Sequence, residues 1–269
     1  MISCVVTTKN EEHVIDDLLK SIKTQSYKNF EIVVVDNNSI DDTRKISAFY
    51  TKKVFTKGPE RSVQRNFGVQ KCRGEYILIL DADMRLAKNV LRDLDKKISR
   101  SPDLGAVIIP EKSFGIGFWA KVKTFERSFY IGDESIEAAR FFKKSIFVKF
   151  GGYDVSMTGP EDYDLPYRIR KAGIKIGRIR SSIFHNEKRF SPFKSAKKKF
   201  YYASRAGNYI KKHPELIFSQ GNMLFRPIFI KRWRKLITHP GLSLAMLVLK
   251  AIEAVAALAG VVYSVIIRA

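Results

Sequence analysis

Tyr76-Ile77-Leu78-Ile79-Leu80 is an unbroken apolar run that ends in Asp81-Ala82-Asp83, a pair of acids separated by one small residue. A short apolar run closed off in this way reads as a buried strand of a parallel sheet, and it delivers both carboxylates to its carboxyl end. Ligands of open α/β sheets bind outside those ends. Two acids so close repel unless a cation lies beside them. The pair therefore either binds a metal or carries a local stability cost, and a solvated turn after a strand is the plain alternative.

The stretches on either side fit such a sheet. A strand is expected over Ile2 to Thr8, then a helix over Glu11 to Gln25, where Val14, Leu18 and Ile22 recur at four-residue intervals. Phe30 to Asp36 is a second apolar strand ending in an acid. Asn37 to Thr43 supplies turn formers and helix caps ahead of a helix to about Tyr50. A short strand near Val54, a helix over Ser62 to Lys71 and the strand Glu75 to Leu80 complete a β-α-β-α-β-α-β order. Such alternation predicts an α/β fold with a mostly parallel sheet and helices on both faces. Farther on we expect a helix over Asn89 to Ser99 and a strand over Gly105 to Pro110. A Gly- and aromatic-rich acceptor loop over Phe114 to Gly132 follows, then a helix over Glu161 to Ala172 and a strand over Ile174 to Ile179.

Three strand ends, carrying Thr7 to Glu12, Asp36 and Asp81, converge on one crevice, and a nucleotide is its expected occupant. Asp36 suits a base or ribose hydroxyl, and Arg65, on a helix with Asn66 and Gly68, suits a phosphate. A surface salt bridge is the alternative for Arg65. No Gly-x-Gly-x-x-Gly follows the first strand and no Walker loop occurs, which argues against a dinucleotide cofactor or a P-loop. A metal is then the natural neutraliser of a diphosphate. Glu161, Asp162 and Asp164 open a helix, where the dipole favours carboxylates. Capping accounts for one of them, and an ionised carboxylate beside a cleft is what deprotonation of a hydroxyl requires.

In order along the chain, Thr7-Thr8-Lys9-Asn10-Glu11-Glu12, Asp36 with Ser39 and Asp41-Asp42-Thr43, Arg65-Asn66-Phe67-Gly68, Gly74-Glu75-Tyr76, Asp81-Ala82-Asp83, Gly151-Gly152-Tyr153-Asp154 and Glu161-Asp162-Tyr163-Asp164-Leu165 resemble the family 2 glycosyltransferases of the GT-A fold. The resemblance spans about Met1 to His185. It implies a Rossmann-like GT-A sheet and inverting transfer of a sugar from a UDP- or GDP-sugar, with Mn²⁺ or Mg²⁺ on the donor diphosphate. It also implies that Thr7, Glu11 and Asp36 lie around the nucleoside, with Arg65 near the base or diphosphate. Asp81 would face the ribose or a metal-bound water, and Asp83 would bind the metal directly. Asp162 matches the family's catalytic base, with Glu161 beside it. His185 resembles a histidine that completes the metal shell in some relatives; a structural histidine is the alternative. Processive synthases of the family carry a Gln-x-x-Arg-Trp signature after the base, and none of the four glutamines here begins one. Single transfers are expected instead.

Formal charge is +22, and its placement is informative. Between Lys188 and Lys235 lie fourteen Lys or Arg and one acid, Glu215, interleaved with Phe190, Tyr201, Tyr209, Phe218, Phe225 and Trp233 among other aromatics. Such a stretch suits nucleic acid or an anionic bilayer. Its position, just ahead of the apolar segment Leu242 to Ile267, favours the bilayer, and no nucleic acid is expected. The apolar segment is long enough to span a bilayer as a helix. A buried core helix and a helix lying flat at the interface are the alternatives. Lys250 and Glu253 share one face, where they pair or mark an oligomer contact. The expected division is a catalytic domain over 1–187, a basic aromatic membrane-surface region over 188–240 and a hydrophobic anchoring helix over 241–269. A lipid-linked acceptor, a polyprenyl or dolichyl saccharide, follows as the leading expectation. A polyprenyl-phosphate sugar synthase is the first alternative, and a non-catalytic membrane or nucleic-acid binding protein the second. Cys4 and Cys72 have no metal or redox spacing and suit a reducing compartment. With no signal peptide expected at the N-terminus, the chain is placed on the cytoplasmic face of the cell membrane.

Overall fold

In the computed structural model, β1 (Ile2–Thr8) is buried along its whole length, as a strand covered on both faces must be. β2 (Phe30–Asp36) and β4 (Tyr76–Asp81) flank it in parallel, in a register that sets Thr8 opposite Asp36 and Thr7 opposite Asp81. Three expected site residues thus reach one sheet edge through strand pairing alone. With β3 (Val54–Thr56), β6 (Ala106–Ile108), β8 (Ala139–Lys143) and β9 (Ile176–Arg178), the sheet runs β3-β2-β1-β4-β8-β6-β9. All its pairings are parallel except those of β8, which lies antiparallel to both neighbours. β5 (Met84–Leu86) pairs antiparallel with β10 (Ile183–Asn186) and sets His185 opposite Met84.

Side chains alternate strictly across the sheet. Cys4, Val6, Leu78 and Leu80 join one core layer with α1 (Ile15–Lys23) and α4 (Val90–Arg100). Val5, Ile77 and Ile79 join the other, covered by α3 (Arg61–Lys71), α6 (Lys144–Lys149) and α7 (Glu161–Lys171). α2 (Thr43–Tyr50) packs its Ile46 against the first layer.

The structure describes residues 1–133, 136–157, 159–205 and 226–268. They form two compact units, the sheet unit (Met1–Glu111, Ala138–Val155, Glu161–His185) and a second one (Lys112–Glu137, Ser156–Pro160, Asn186–Ala269). β7 (Glu111–Phe114) marks the passage between them along the chain. The second unit holds α5 (Phe118–Arg127), α8 (Pro192–Ser204), α9 (Pro227–Lys231), α10 (Trp233–Thr238) and α11 (Pro240–Arg268). Its core joins Val122, Phe125 and Phe129 to Ile228, Phe229, Met246 and Leu249. Tyr209, Phe218, Phe225 and Glu215 lie outside the described residues.

Two expectations need correcting. The expected acceptor loop over Phe114 to Gly132 contains a helix, α5, whose Val122, Phe125 and Phe129 recur at helical spacing and are buried. The first helix begins at Ile15 rather than Glu11, and the backbone ahead of it is held in a turn by the loop after β2. Asn10, at φ +53°, donates its N–H to Ser39 Oγ at 2.8 Å, Glu11 donates to Thr43 Oγ1 at 2.8 Å and Glu12 to Asp41 Oδ2 at 3.2 Å. The acids and hydroxyls of residues 39–43 therefore staple the loops after β1 and β2 together.

Candidate active site

The Arg65-Asn66-Phe67-Gly68 turn of α3 has a separate task for three of its residues. A Cβ on Gly68 would lie 2.5 Å from Val5 Cγ1, so the glycine lets α3 close onto the sheet. Asn66 clamps the backbone of Tyr153, donating Nδ2–H to its carbonyl at 2.7 Å and accepting its N–H at 3.0 Å. Arg65 is fully buried. Its Nη2 lies 2.8 Å from Asp81 Oδ1 and its Nη1 lies 2.6 Å from Asp162 Oδ1, with Glu161 at 3.7 Å. One guanidinium thus joins the acid ending β4 to the acids opening α7. Tyr153 lies under it, ring centroid 5.1 Å from the guanidinium carbon.

The three acids of α7 sort by environment. Asp164 is buried and pairs with Arg168 at 2.6 Å, one helical turn on, which is a structural role. Glu161 is buried, and burial first, then the neighbouring Asp162, pushes its carboxyl up, against the pull of Arg65. Asp162 keeps 20% of its side chain exposed, the only one of the three that meets solvent appreciably. Asp81 takes the opposite course to Glu161. Burial raises its carboxyl, but Arg65, Arg140 and Arg61 outweigh burial and hold it well below the usual carboxylate range.

Asp81 is also tied to Thr7, whose Oγ1–H donates to it at 3.2 Å. Its two oxygens both accept from Arg65, at 2.8 and 3.1 Å. Asp83 differs: its Oδ1 is buried with no hydrogen-bond partner among the described residues, and His185 Nε2 lies 3.5 Å away. An unsatisfied carboxylate oxygen facing an imidazole is a donor set that fits a divalent cation. Among the described residues no third His, Cys, Asp or Glu joins them, so the rest of such a shell would come from ligand and water. Asp36 is buried and accepts from Ser39, N–H at 2.8 Å and Oγ–H at 2.5 Å. Gln64 donates to the carbonyls of Thr8 and Val35, at 3.1 and 2.8 Å, tying α3 to the ends of β1 and β2. The structure thus gathers Thr7, Arg65, Asp81, Glu161 and Asp162 into one cluster, sets Asp83 with His185, and engages Asp36 and the Glu11 backbone in loop staples.

Sequence reasoning missed Arg140 and Arg61. Arg140, nearly fully buried on β8, lies 3.5 Å from Asp81 and pairs with Glu111, while Arg61 lies 3.9 Å from Asp81. The signal for Arg140 was a lone charge inside Ala139-Arg140-Phe141-Phe142, an otherwise apolar run.

Thr7 and Asp81 of this cluster lie at the carboxyl ends of paired parallel strands, where open α/β sheets bind ligands. Residues 3–155 match the sequence model of Glycosyl transferase family 2, and the chain belongs to that family. Glu161, Asp162 and His185 lie beyond the matched stretch. A Campylobacter jejuni subsp. jejuni protein named GalNAc(5)-diNAcBac-PP-undecaprenol beta-1,3-glucosyltransferase is 29% identical over 106 residues, 36% of this chain and 34% of its own. A Staphylococcus epidermidis poly-beta-1,6-N-acetyl-D-glucosamine synthase is 26% identical over 201 residues, 63% of this chain and 48% of its own. The chain thus spans between a third and a half of these relatives' lengths. Among solved structures, a mannosyltransferase from Pyrobaculum calidifontis in complex with GDP-Man and Mn²⁺ superposes with TM-score 0.69 at 18% identity, covering 97% of this chain and 87% of its own. That likeness establishes the shared fold.

Proposed function

We propose that this chain is a membrane-associated, inverting glycosyltransferase that moves one sugar from a nucleotide-diphospho-sugar to a hydroxyl of a lipid-linked saccharide. The observation that carries the reading is the Arg65 bridge, which places the strand-end acid Asp81 and the partly exposed Asp162 in one cluster, 2.8 and 2.6 Å from the same guanidinium. In this reading Asp81 belongs to the donor end of the reaction centre and Asp162 is its base.

Thr7, Glu11 and Asp36, at the ends of β1 and β2, frame the nucleoside. Asp83 and His185 would hold Mn²⁺ or Mg²⁺, which when bound offsets the negative charge that grows on the departing diphosphate. Arg61 and Arg140 add fixed positive charge around Asp81. Asp162 takes the proton of the acceptor hydroxyl as its oxygen bonds the anomeric carbon. The bond from that carbon to the diphosphate oxygen breaks, the nucleoside diphosphate leaves, and one displacement inverts the centre.

The lipid-linked acceptor is supported by the undecaprenol in the name of the Campylobacter relative, by the basic aromatic stretch from Lys188 and by the apolar helix α11. In this reading residues 1–187 carry the chemistry and 188–269 the membrane contact, on the cytoplasmic face. The test begins with thermal shifts in UDP, GDP and CMP, each with and without Mn²⁺. A metal-dependent shift with UDP or GDP that Asp83→Ala abolishes is expected. Transfer to extracted polyprenol-linked sugars is then compared with transfer to water-soluble ones. Asp162→Asn should slow transfer by roughly 10²- to 10⁴-fold while the nucleotide shift survives. No shift with any nucleotide, or a clear preference for soluble acceptors, overturns the proposal. A mild Asp162→Asn effect would instead indicate attack by a lipid phosphate, which needs no base.

A further inference from the structure

α11 is amphipathic in the inverted sense, with its charges inside and its apolar side chains outside. Leu244, Val248, Val255, Leu258, Val262 and Ile266 fall on one face at intervals of three, four and seven and are between 46% and 70% exposed. The opposite face carries Met246, Leu249, Lys250 and Glu253, all buried. Lys250 Nζ lies 2.8 Å from Glu126 and 3.1 Å from Glu253, and Lys123 Nζ lies 2.7 Å from Glu126 and 3.2 Å from Glu253. Each carboxylate therefore meets two ammonium groups. Ser195 of α8 donates its hydroxyl to Glu253 at 2.6 Å, and Tyr130 donates to Glu126 at 2.6 Å. The polar face of α11 is filled by its own chain, not by a second copy.

Among the described residues the apolar face has no such cover. By length and composition Pro240–Ser264 suffices to cross a membrane, but its packing against α8 argues against a span. Ser195 meets Glu253, and a Cβ on Gly260 would lie 2.4 Å from the carbonyl oxygen of Phe200. These two contacts, five residues apart on α8 and seven apart on α11, fix the helices side by side and parallel. α8 exposes Lys194, Lys197 and Lys198. A spanning α11 would carry those ammonium groups into hydrocarbon, where charge is strongly disfavoured. A helix lying flat keeps them at the level of lipid phosphates. Exposed Tyr201, Trp233 and Tyr263 suit the same interface. A second copy docking on this face would bring like-charged α8 flanks together, whereas an anionic bilayer attracts them.

We infer that α11 lies in the plane of an anionic membrane surface, its outer apolar face among the acyl chains and the α8 lysines among the phosphates, without crossing the bilayer. The inference deepens the membrane part of the proposed function and rests on it.

The test uses the full chain with phosphatidylcholine vesicles, with and without phosphatidylglycerol, and spin labels at Leu244→Cys, Val255→Cys and Ile266→Cys. Cys4 and Cys72 are buried and leave the background low. Label depth is read from relaxation by oxygen against an aqueous nickel chelate. Equal, shallow depths at all three positions are expected, with binding that requires the anionic lipid. A depth maximum at Val255→Cys with both ends near water would establish a span. Labels that stay aqueous while the chain sediments as a dimer would establish a protein partner. Either result overturns the inference. Val255→Lys with Leu258→Lys should weaken vesicle partitioning by roughly tenfold or more and leave the metal-dependent nucleotide shift in place, which shows the variant is folded. If the parent shows no nucleotide shift, the donor reading fails while the depth result still stands.

Discussion

Arg65 is the residue on which the site turns. Its guanidinium satisfies Asp81 and Asp162 at once, and an ammonium in its place meets one of them at a time. Removing the charge leaves Asp81 and Asp162 short of a partner inside the site, so Arg65→Met is expected to cost about 3–5 kcal/mol of stability in urea unfolding. Arg65→Lys should cost less and should lower kcat more than it weakens nucleotide binding, because Asp162 loses its fixed position. Equal losses in both variants would place the role of Arg65 in folding alone. Asp81, Asp83 and Asp162 were legible in the sequence because acids that close an apolar strand or open a helix are visible in one dimension. The partners of Asp81 were not. Arg140 reaches it only because β8 inserts antiparallel beside β4, a pairing that no local pattern announces. The three arginines around Asp81 are therefore an addition that the structure makes to the sequence reading.

Strands and helices were legible wherever one periodicity ran without competition, as in β1, β2, β4 and α3. Boundaries slipped where side chains captured backbone groups, as Ser39, Asp41 and Thr43 do ahead of α1. α5 was hidden behind Gly115 and Gly117, which mark its start but read as a glycine-rich loop. Packing of the elements makes two predictions. Gly68→Ala sets a methyl 2.5 Å from Val5 Cγ1 and should destabilise the chain by about 1–3 kcal/mol as α3 shifts from the sheet, read as a lowered Tm. Glu31 of β2 gathers Ser3 Oγ–H at 2.6 Å, Lys53 Nζ at 2.5 Å and the N–H of Arg73 at 2.5 Å, linking three neighbouring segments. Burial raises its carboxyl, but these donors outweigh burial and bring it down to about 2 from 4.5. Because the folded value is the lower one, this contribution is present above pH 4.5 and is lost as pH falls from there towards 2. Glu31→Gln should therefore flatten the stability profile across that window while lowering stability at neutral pH, as a series of melts in acid buffers would show.

At the scale of the whole molecule, chemistry and charge are divided between the two units. The sheet unit carries Asp83, His185 and the Arg65 cluster, and the second unit carries the lysines of α8 and the outward apolar face of α11. Two Lys–Glu pairs at the same three-residue spacing, Lys123 with Glu126 and Lys250 with Glu253, close that unit on itself. The sequence showed Lys250 and Glu253 on one helix face, but not the Lys123 and Glu126 that meet them, because that partnership spans more than a hundred residues. A division of this kind predicts separable defects. Asp83→Ala, or removal of divalent cations with a chelator, should abolish the nucleotide-dependent thermal shift and leave vesicle binding unchanged, because nothing in α8 or α11 depends on that carboxylate. Val255→Lys with Leu258→Lys should do the reverse. Transfer to a lipid-linked acceptor in vesicles should fall with either change. Transfer to the same saccharide freed of its lipid and assayed in solution should fall only with the first, since membrane capture raises the local concentration of an acceptor that is itself confined there. Equal losses on the soluble saccharide would mean that the apolar face of α11 serves the reaction centre and not the encounter with the membrane.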